Sequence, residues 1–530
     1  MTFADNTNQR IPFPSLHRAM KEQAAPKRMD PSECFAVIVS QVENLANASQ
    51  ARAETPFSIA ATEASFLQSH KTVDPTTWST RRKWIYTILA ALTMFNGSFA
   101  STAPNGSGPR LVQQFALSNE EIVFIATSFV GGCVAGPILW APLSEVYGRR
   151  IVLLISMLCY TLTNIGCALA PIKAVLFGSR FLAGVFASSA FSNTAALVTD
   201  LFAPPDRAKP MVVVSLAPLL GPCFGPLFGA GISKNLGWPY VFWLLGLIGL
   251  VLELVLLLVP ETYALVLAKK GKPKENIDPK VPWSRKARSL LVLNLGRPLN
   301  MMLREPIVMC ANFYLSFFFA LMYVFFASWP LIFGPPGIYR LDAVHTADIF
   351  LGWCKRAAGI TFLPMALGGI LAALLLPLCE RYYVRRCKAA GMPVPEAKLL
   401  PSFFAPPLVA VGLLWAGWLG RRSIPYEVTM LAGIPIGAAM VLVFQGWIGY
   451  LGDCYRLYSS SAIAATVIGR SLSGATIPLS THRLHEKLGG IAYLYTMLAG
   501  LVLLTTPIPY LVVRYGNRLR SRSMYKPGRA

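Results

Sequence analysis

The segment Pro142-Leu-Ser-Glu145-Val-Tyr-Gly-Arg149-Arg150 joins two apolar runs, 121–142 and 151–171. Each run is close to the roughly 20 residues that an α-helix needs to cross a bilayer. One acid and two arginines therefore stand where one membrane helix ends and the next begins. Charge at such a boundary is expensive and seldom idle. Glu145 and Arg149 are four residues apart, a spacing that places them on one face of a helical turn. Asp200 follows the later run 175–199 and can meet Arg149 at the same boundary. The segment predicts an all-α membrane protein whose helices are joined by short charged turns.

Outward from this segment the pattern repeats. Further apolar runs fall at 84–104, 210–232 and 239–260, and then at 306–330, 357–379, 402–420, 427–449, 460–480 and 490–512, giving two groups of six. Composition agrees: 54% of the 530 residues are hydrophobic and 14% charged, against about 25% charged in soluble domains. The net charge of +23 lies mostly between the apolar runs, as positive-inside retention requires, and is read as topology rather than nucleic-acid binding. Ten cysteines are scattered, several inside apolar runs, with neither a disulfide framework nor metal spacing. No cofactor is implied.

The expected organisation is a disordered cytosolic extension (1–80), a six-helix half (81–260), a basic cytosolic linker (261–305), a second six-helix half (306–513) and a cytosolic tail (514–530). A short helix is conceivable at 31–47 within the extension. With an even number of helices, the basic clusters before the first run, in the linker and in the tail all fall on the cytosolic side. A weak internal repeat supports duplication. Glu145-Val-Tyr-Gly-Arg-Arg150 follows the second run, and Glu380-Arg-Tyr-Tyr-Val-Arg385-Arg386 follows the eighth. Duplicated halves with a pathway between them are a transporter arrangement. Ion pairs among Glu145, Arg149, Arg150 and Asp200, echoed by Glu380 and Arg385, would then hold a cytosolic gate that breaks when the halves rock apart.

Other motifs refine this. Gly221-Pro222-Cys-Phe-Gly225-Pro226-Leu-Phe-Gly229 sets glycines four apart on the fifth run, a smooth face for close helix approach, and its prolines favour bending. Arg180 and Arg470 fall inside the fourth and eleventh runs, where a charge should face a cavity or a partner. Asn96, Asn193, Asn312 and Gln445 complete the polar cavity candidates. Glu253, in the sixth run, is the clearest deep carboxylate and the candidate for protonation. Asn105-Gly-Ser107 is a glycosylation sequon in an expected external loop. No phosphate-binding loop, metalloprotease helix or nucleophile elbow occurs, so neither direct ATP drive nor enzyme chemistry is expected.

At this point the residues carry a resemblance. The string 142–150 resembles the loop signature of the major facilitator superfamily, Arg180-Phe-Leu-Ala-Gly184 resembles its second motif, and the Gly-Pro face resembles its antiporter motif. Pro260-Glu-Thr-Tyr263, Arg470-Ser-Leu-Ser-Gly474 with Pro478, and Tyr515-Gly with Arg520-Ser-Arg522 are similar to the fungal twelve-helix drug:proton antiporter branch, near its polyamine, multidrug and metabolite exporters. The resemblance spans about 84–525 and implies a major facilitator fold, helices 1, 4, 7 and 10 around a central cavity, and export of a small organic molecule by alternating access. It further implies proton coupling, contact with membrane lipid, a monomer, and the plasma or vacuolar membrane with both termini cytosolic. Organic acid, secondary metabolite and drug stand as cargo; polyamine or multidrug efflux, a non-transporting sensor and a membrane-embedded enzyme are the alternatives. Where the family places an arginine after Gly-Trp, this chain reads Gly237-Trp238-Pro239.

Overall fold

The computed structural model describes residues 75–203, 206–263, 266–267, 296–333, 338, 358–391, 394–455, 458–521 and 523. The extension before residue 75, including the segment 31–47 where a short helix is expected from the sequence, the centre of the linker and the end of the tail lie outside the described residues.

Twelve principal helices run in chain order: α1 Thr80–Thr102, α2 Asn119–Tyr147, α3 Arg149–Ala168, α4 Lys173–Leu201, α5 Ala208–Asn235 and α6 Pro239–Leu256, then α7 Pro306–Phe333, α8 Leu363–Ala390, α9 Ala405–Leu419, α10 Gly433–Cys454, α11 Ser459–Thr476 and α12 Ile491–Leu504. Among the described residues there is no strand. Eleven helical spans are long and apolar enough to cross a membrane. The exception is α1: it is 23 residues long, but buried Thr87, Thr93, Asn96, Ser98, Ser101 and Thr102 make it the most polar of the set. Those groups face protein rather than lipid, where a polar side chain can be tolerated.

Local chemistry sets the boundaries. Ser118 and Glu121 form a reciprocal capping box at the start of α2, which satisfies backbone donors that the helix itself leaves unpaired. Gly148 has φ of +100°, a conformation open to glycine, and it ends α2 so that α3 starts at Arg149. Pro507 interrupts the last span, and an amphipathic helix, Pro507–Ser521, continues from α12. In the eighth span the helix runs on through Ala390, so Glu380 and Arg385 stand on helix α8 and not in a connecting loop.

The helix pairing is duplicated. In the first half α2 packs on α4, α1 on α5 and α3 on α6; in the second, α8 packs on α10, α7 on α11 and α9 on α12. Two of the close helix approaches correspond as well. A β-carbon at Gly184 of α4 would sit 1.9 Å from the Phe129 carbonyl of α2, and one at Gly437 of α10 would sit 1.9 Å from the Met365 carbonyl of α8. The halves meet through α2 against α11 and α5 against α8. Exposed leucine, isoleucine and phenylalanine side chains, such as Leu158, Leu247 and Leu374, cover the outer faces of α3, α6 and α8. That surface suits lipid, with the polar groups turned inward.

Candidate functional site

Gly148 turns the chain so that Arg149 begins α3 with its guanidinium under the ends of α2 and α4. Arg149 Nε donates to Asp200 Oδ2 at 3.2 Å, and its Nη1 donates to Ser144 Oγ at 2.6 Å and, across the two halves, to Ser460 Oγ of α11 at 2.9 Å. Arg149 is buried and also lies over the Tyr263 ring. The expected Arg149–Asp200 contact is therefore present. The expected pairing of Glu145 with Arg149 along one helical turn is not, because the left-handed glycine places the two on different helices. Glu145 instead accepts from Arg297 Nη1 at 3.0 Å and from Ser461 Oγ of α11 at 3.1 Å. Arg297 belongs to the short helix Gly296–Arg304 just before α7.

Glu261, at the end of the sixth span, caps this arrangement. Its carboxylate accepts the backbone N–H groups of Arg149 and Arg150, at 3.0 and 3.2 Å, and those of Thr262 and Tyr263. An anion at the N-terminus of α3 meets unpaired donors and the positive end of the helix dipole. Arg150 spends its own side chain on the Leu257 carbonyl, 2.7 Å away. This end of the molecule carries a second set of contacts. Asp453 of α10 accepts from Tyr383 at 2.8 Å, pairs with Lys398 at 2.8 Å, and faces Arg207 of the first half at 3.8 Å. Glu380 stands within electrostatic reach of Lys398 and Asp453 of this second set, and Glu380 and Arg385 line a cleft of about 720 Å³ beside Lys83, Lys209 and Arg381.

The centre of the molecule is nearly closed. A cavity of about 20 Å³ lies between α1, α2, α4 and α5 of one half and α7 and α11 of the other, room for about one water. Of the six cavity candidates, Arg470 lines it. Tyr323 Oη of α7 donates to Ser101 Oγ of α1 at 3.1 Å across the cavity, a contact the sequence did not suggest. Arg180 is fully buried nearby, but its guanidinium donates to the Ile125 and Ser101 carbonyls and lies over Phe129, which makes it a tie between α1, α2 and α4. Asn193 donates to Ser189 within α4, and Asn96 is fully buried without a hydrogen-bonding partner for its amide. Asn312 packs against Gly469, where a β-carbon would sit 2.0 Å from its Oδ1. Gln445 of α10 accepts from Ser215 of α5 at 2.8 Å and so joins the halves.

The glycines of α5 form a contact face against α1. β-Carbons at Gly221, Gly225 and Gly229 would sit 2.5, 2.1 and 1.9 Å from Phe99 N, Thr102 Oγ1 and the Ala103 carbonyl. The helix runs unbroken through Pro222 and Pro226. Thr102 Oγ1 donates to the Pro222 carbonyl at 3.3 Å. Glu253 is half-buried on α6, which packs on α3, and does not line the central cavity. Asn105 is exposed and Ser107 of its sequon is buried. Near Gly237, Arg110 Nη2 donates to the Lys234 carbonyl at 2.8 Å.

Lys398, Asp453, Glu261, Arg297, Ser460 and Ser461 were not singled out from sequence. Glu261 stood within the string Pro260-Glu-Thr-Tyr263 and Arg297 within the basic linker, but nothing in either string names its partner.

A family model described as Major Facilitator Superfamily matches residues 88–478. The chain is 31% identical to the "Major facilitator superfamily multidrug transporter mdrA" of Aspergillus fumigatus, covering 85% of this chain and 74% of that one. It is 31% identical to "Efflux pump FUB11" of Gibberella moniliformis, covering 84% and 74%, and 32% identical to "MFS-type efflux pump MFS2" of Trichophyton rubrum, covering 85% and 75%. In fold it is similar to the proton:xylose symporter XylE (TM-score 0.59, 16% identity, 82% of this chain and 97% of that one) and to the human organic anion transporter MFSD10 (0.54, 18%, 82% and 100%). A family match over most of the chain, relatives near one-third identity over the same span and a shared helical fold place this multi-pass membrane protein in the major facilitator superfamily.

Proposed function

We propose that this chain exports a small organic molecule, an organic acid, a secondary metabolite or a drug, from the cytosol across the plasma membrane by alternating access. The observation that carries the reading is the set of ion pairs and hydrogen bonds joining the halves at one end: Arg149 to Ser460, Glu145 to Ser461, and Arg207 to Asp453. Contacts of this kind are individually modest and re-formable, so a rocking motion can trade them for an open path. In this reading the end bearing Gly148 is the cytosolic gate, shut over a nearly closed centre, and α5 slides on α1 through its glycines. Relatives named as efflux pumps and a multidrug transporter support the direction of transport. Proton coupling is part of the proposal and follows from the resemblance; the lining of the centre contributes no carboxylate of its own. The protein works as a monomer with both termini in the cytosol.

The test is metabolite profiling of cells with and without the gene. Deletion should trap at least one small organic molecule inside the cell, and re-expression should return it to the medium. Identical extracellular profiles across a broad survey refute export. Dissipating the proton gradient then separates antiport from facilitated release, since only antiport slows.

A further inference from the structure

Arg470 is held in an unusual way. It is 4% exposed, on α11, at the junction of both halves. Its guanidinium lies over three rings, Phe444 at 5.3 Å, Phe319 at 5.6 Å and Phe191 at 5.9 Å. Ring faces offset part of the cost of a buried cation. A guanidinium also carries five N–H donors, and Arg470 makes no side-chain hydrogen bond or ion pair with any described residue. The contrast with the other buried arginines is informative. Arg149 has Asp200, and Arg180 has two backbone carbonyls, with its Nη1 left unpaired, whereas Arg470 has no hydrogen-bond acceptor at all among the described residues. Of the hydroxyls lining the cavity, Tyr323 donates to Ser101 and Ser101 donates to the Ser98 carbonyl, and none is bonded to the Arg470 guanidinium. No aspartate or glutamate lines the cavity.

A desolvated cation with unused donors, facing a cavity and lacking a counterion, is an anion site. We propose that the transported molecule is an organic anion with an aromatic or otherwise apolar body, whose carboxylate is received by Arg470. The cavity in this conformation holds about 20 Å³, so the body would enter once the halves rock apart, with Phe191 and Phe319 from opposite halves flanking it and Met322, Pro218 and Phe129 completing an apolar wall. The site takes residues from both halves, so the anion would engage α1, α4 and α5 on one side and α7 and α11 on the other. A cationic cargo is disfavoured by the same charge. This inference rests on the exporter reading, and it adds the chemical class of the cargo.

The experiment uses the full chain in lipid nanodiscs and a matched series of radiolabelled probes: 2-naphthoate, 2-naphthamide and 2-naphthylmethylamine. Naphthoate should bind at least about tenfold more tightly than the isosteric amide, the scale of one charge-assisted hydrogen bond in a dry site. The amine should not compete. Arg470→Gln should erase the preference for acid over amide, and Arg470→Lys should keep part of it, because charge survives while the planar fork is lost. Equal binding of acid and amide by the native protein overturns the proposal without any variant being needed. So does a preference that survives in a folded Arg470→Gln protein, or the absence of naphthoate binding up to roughly 1 mM, the weak end of specific affinity. Counterflow in proteoliposomes separates the two readings. If the amide or amine moves and naphthoate does not, the exporter stands and the anion site falls. If naphthoate binds through Arg470 and nothing in the series moves, the anion site stands and the exporter reading is the one in difficulty.

Discussion

Gly148 and Asp200 show how much hangs on single residues at the closed end. A β-carbon at Gly148 would sit 2.2 Å from Glu261 Oε2, and the backbone there has φ of +100°. Gly148→Ala should therefore cost roughly 1–3 kcal/mol in strain and displace the carboxylate that caps α3. A fall in the melting temperature of the detergent-solubilised protein checks this, and an unchanged melting curve would contradict it. Asp200 belongs to an ion pair whose arginine is 3% exposed. Removing one partner of a buried pair strands the other charge, at a cost on the order of 3 kcal/mol. Asp200→Asn should loosen the closed end and lower the rate of efflux by about tenfold or more, with the amount of protein at the cell surface unchanged; surface biotinylation beside a transport assay reads both, and a native rate in a correctly located variant removes the gate role. The sequence made Arg149 and Asp200 legible as a pair because both stand at helix ends on one face. It misplaced Glu145, since a four-residue spacing implies a shared face only while the helix is unbroken, and Gly148 breaks it.

At the scale of the element, α5 is the informative helix. Its glycines were legible as a smooth face, and the structure supplies what that face meets: the last turn of α1 and the turn after it, down to Ala103. Three prolines are accommodated in one continuous helix, so the motif in this conformation is a contact surface, and bending belongs to the transport cycle proposed above. Gly229→Ala would push a methyl group against the Ala103 backbone, which cannot rotate aside, and should cost about 1–3 kcal/mol as well as impede any sliding of α5 on α1. Gly178→Ala in α4 is the control, because a β-carbon there would meet nothing within 4 Å. Thermal stability and efflux should both drop for the first variant and stay near native for the second. Equal behaviour of the two would show that close packing of α1 on α5 is not required.

For the molecule as a whole, the proposal of rocking halves can be checked by tying them together. Thr199 Oγ1 of α4 and Ser459 Oγ of α11 lie 3.5 Å apart. Replacing both with cysteine, Thr199→Cys with Ser459→Cys, should allow a disulfide at the closed end under oxidation. Transport should stop on oxidation and return on reduction, and efflux that continues through a quantitatively formed crosslink would exclude opening at this end. The order of the twelve helices and most of their breakpoints, the ends of α8 and α12 excepted, were legible in the sequence alone, because hydrophobic length, charge placement and glycine or proline punctuation are local signals that the bilayer converts directly into topology. Beyond the Arg149–Asp200 pair, tertiary structure alone decided which charges pair and which buried arginine faces the central cavity. Arg149 and Ser460 are 311 positions apart, and Arg180 and Arg470 look alike in a string of apolar residues. One finds carbonyls on neighbouring helices and the other finds three aromatic rings at the boundary between the halves, a difference made by packing and invisible to any reading of the chain in order.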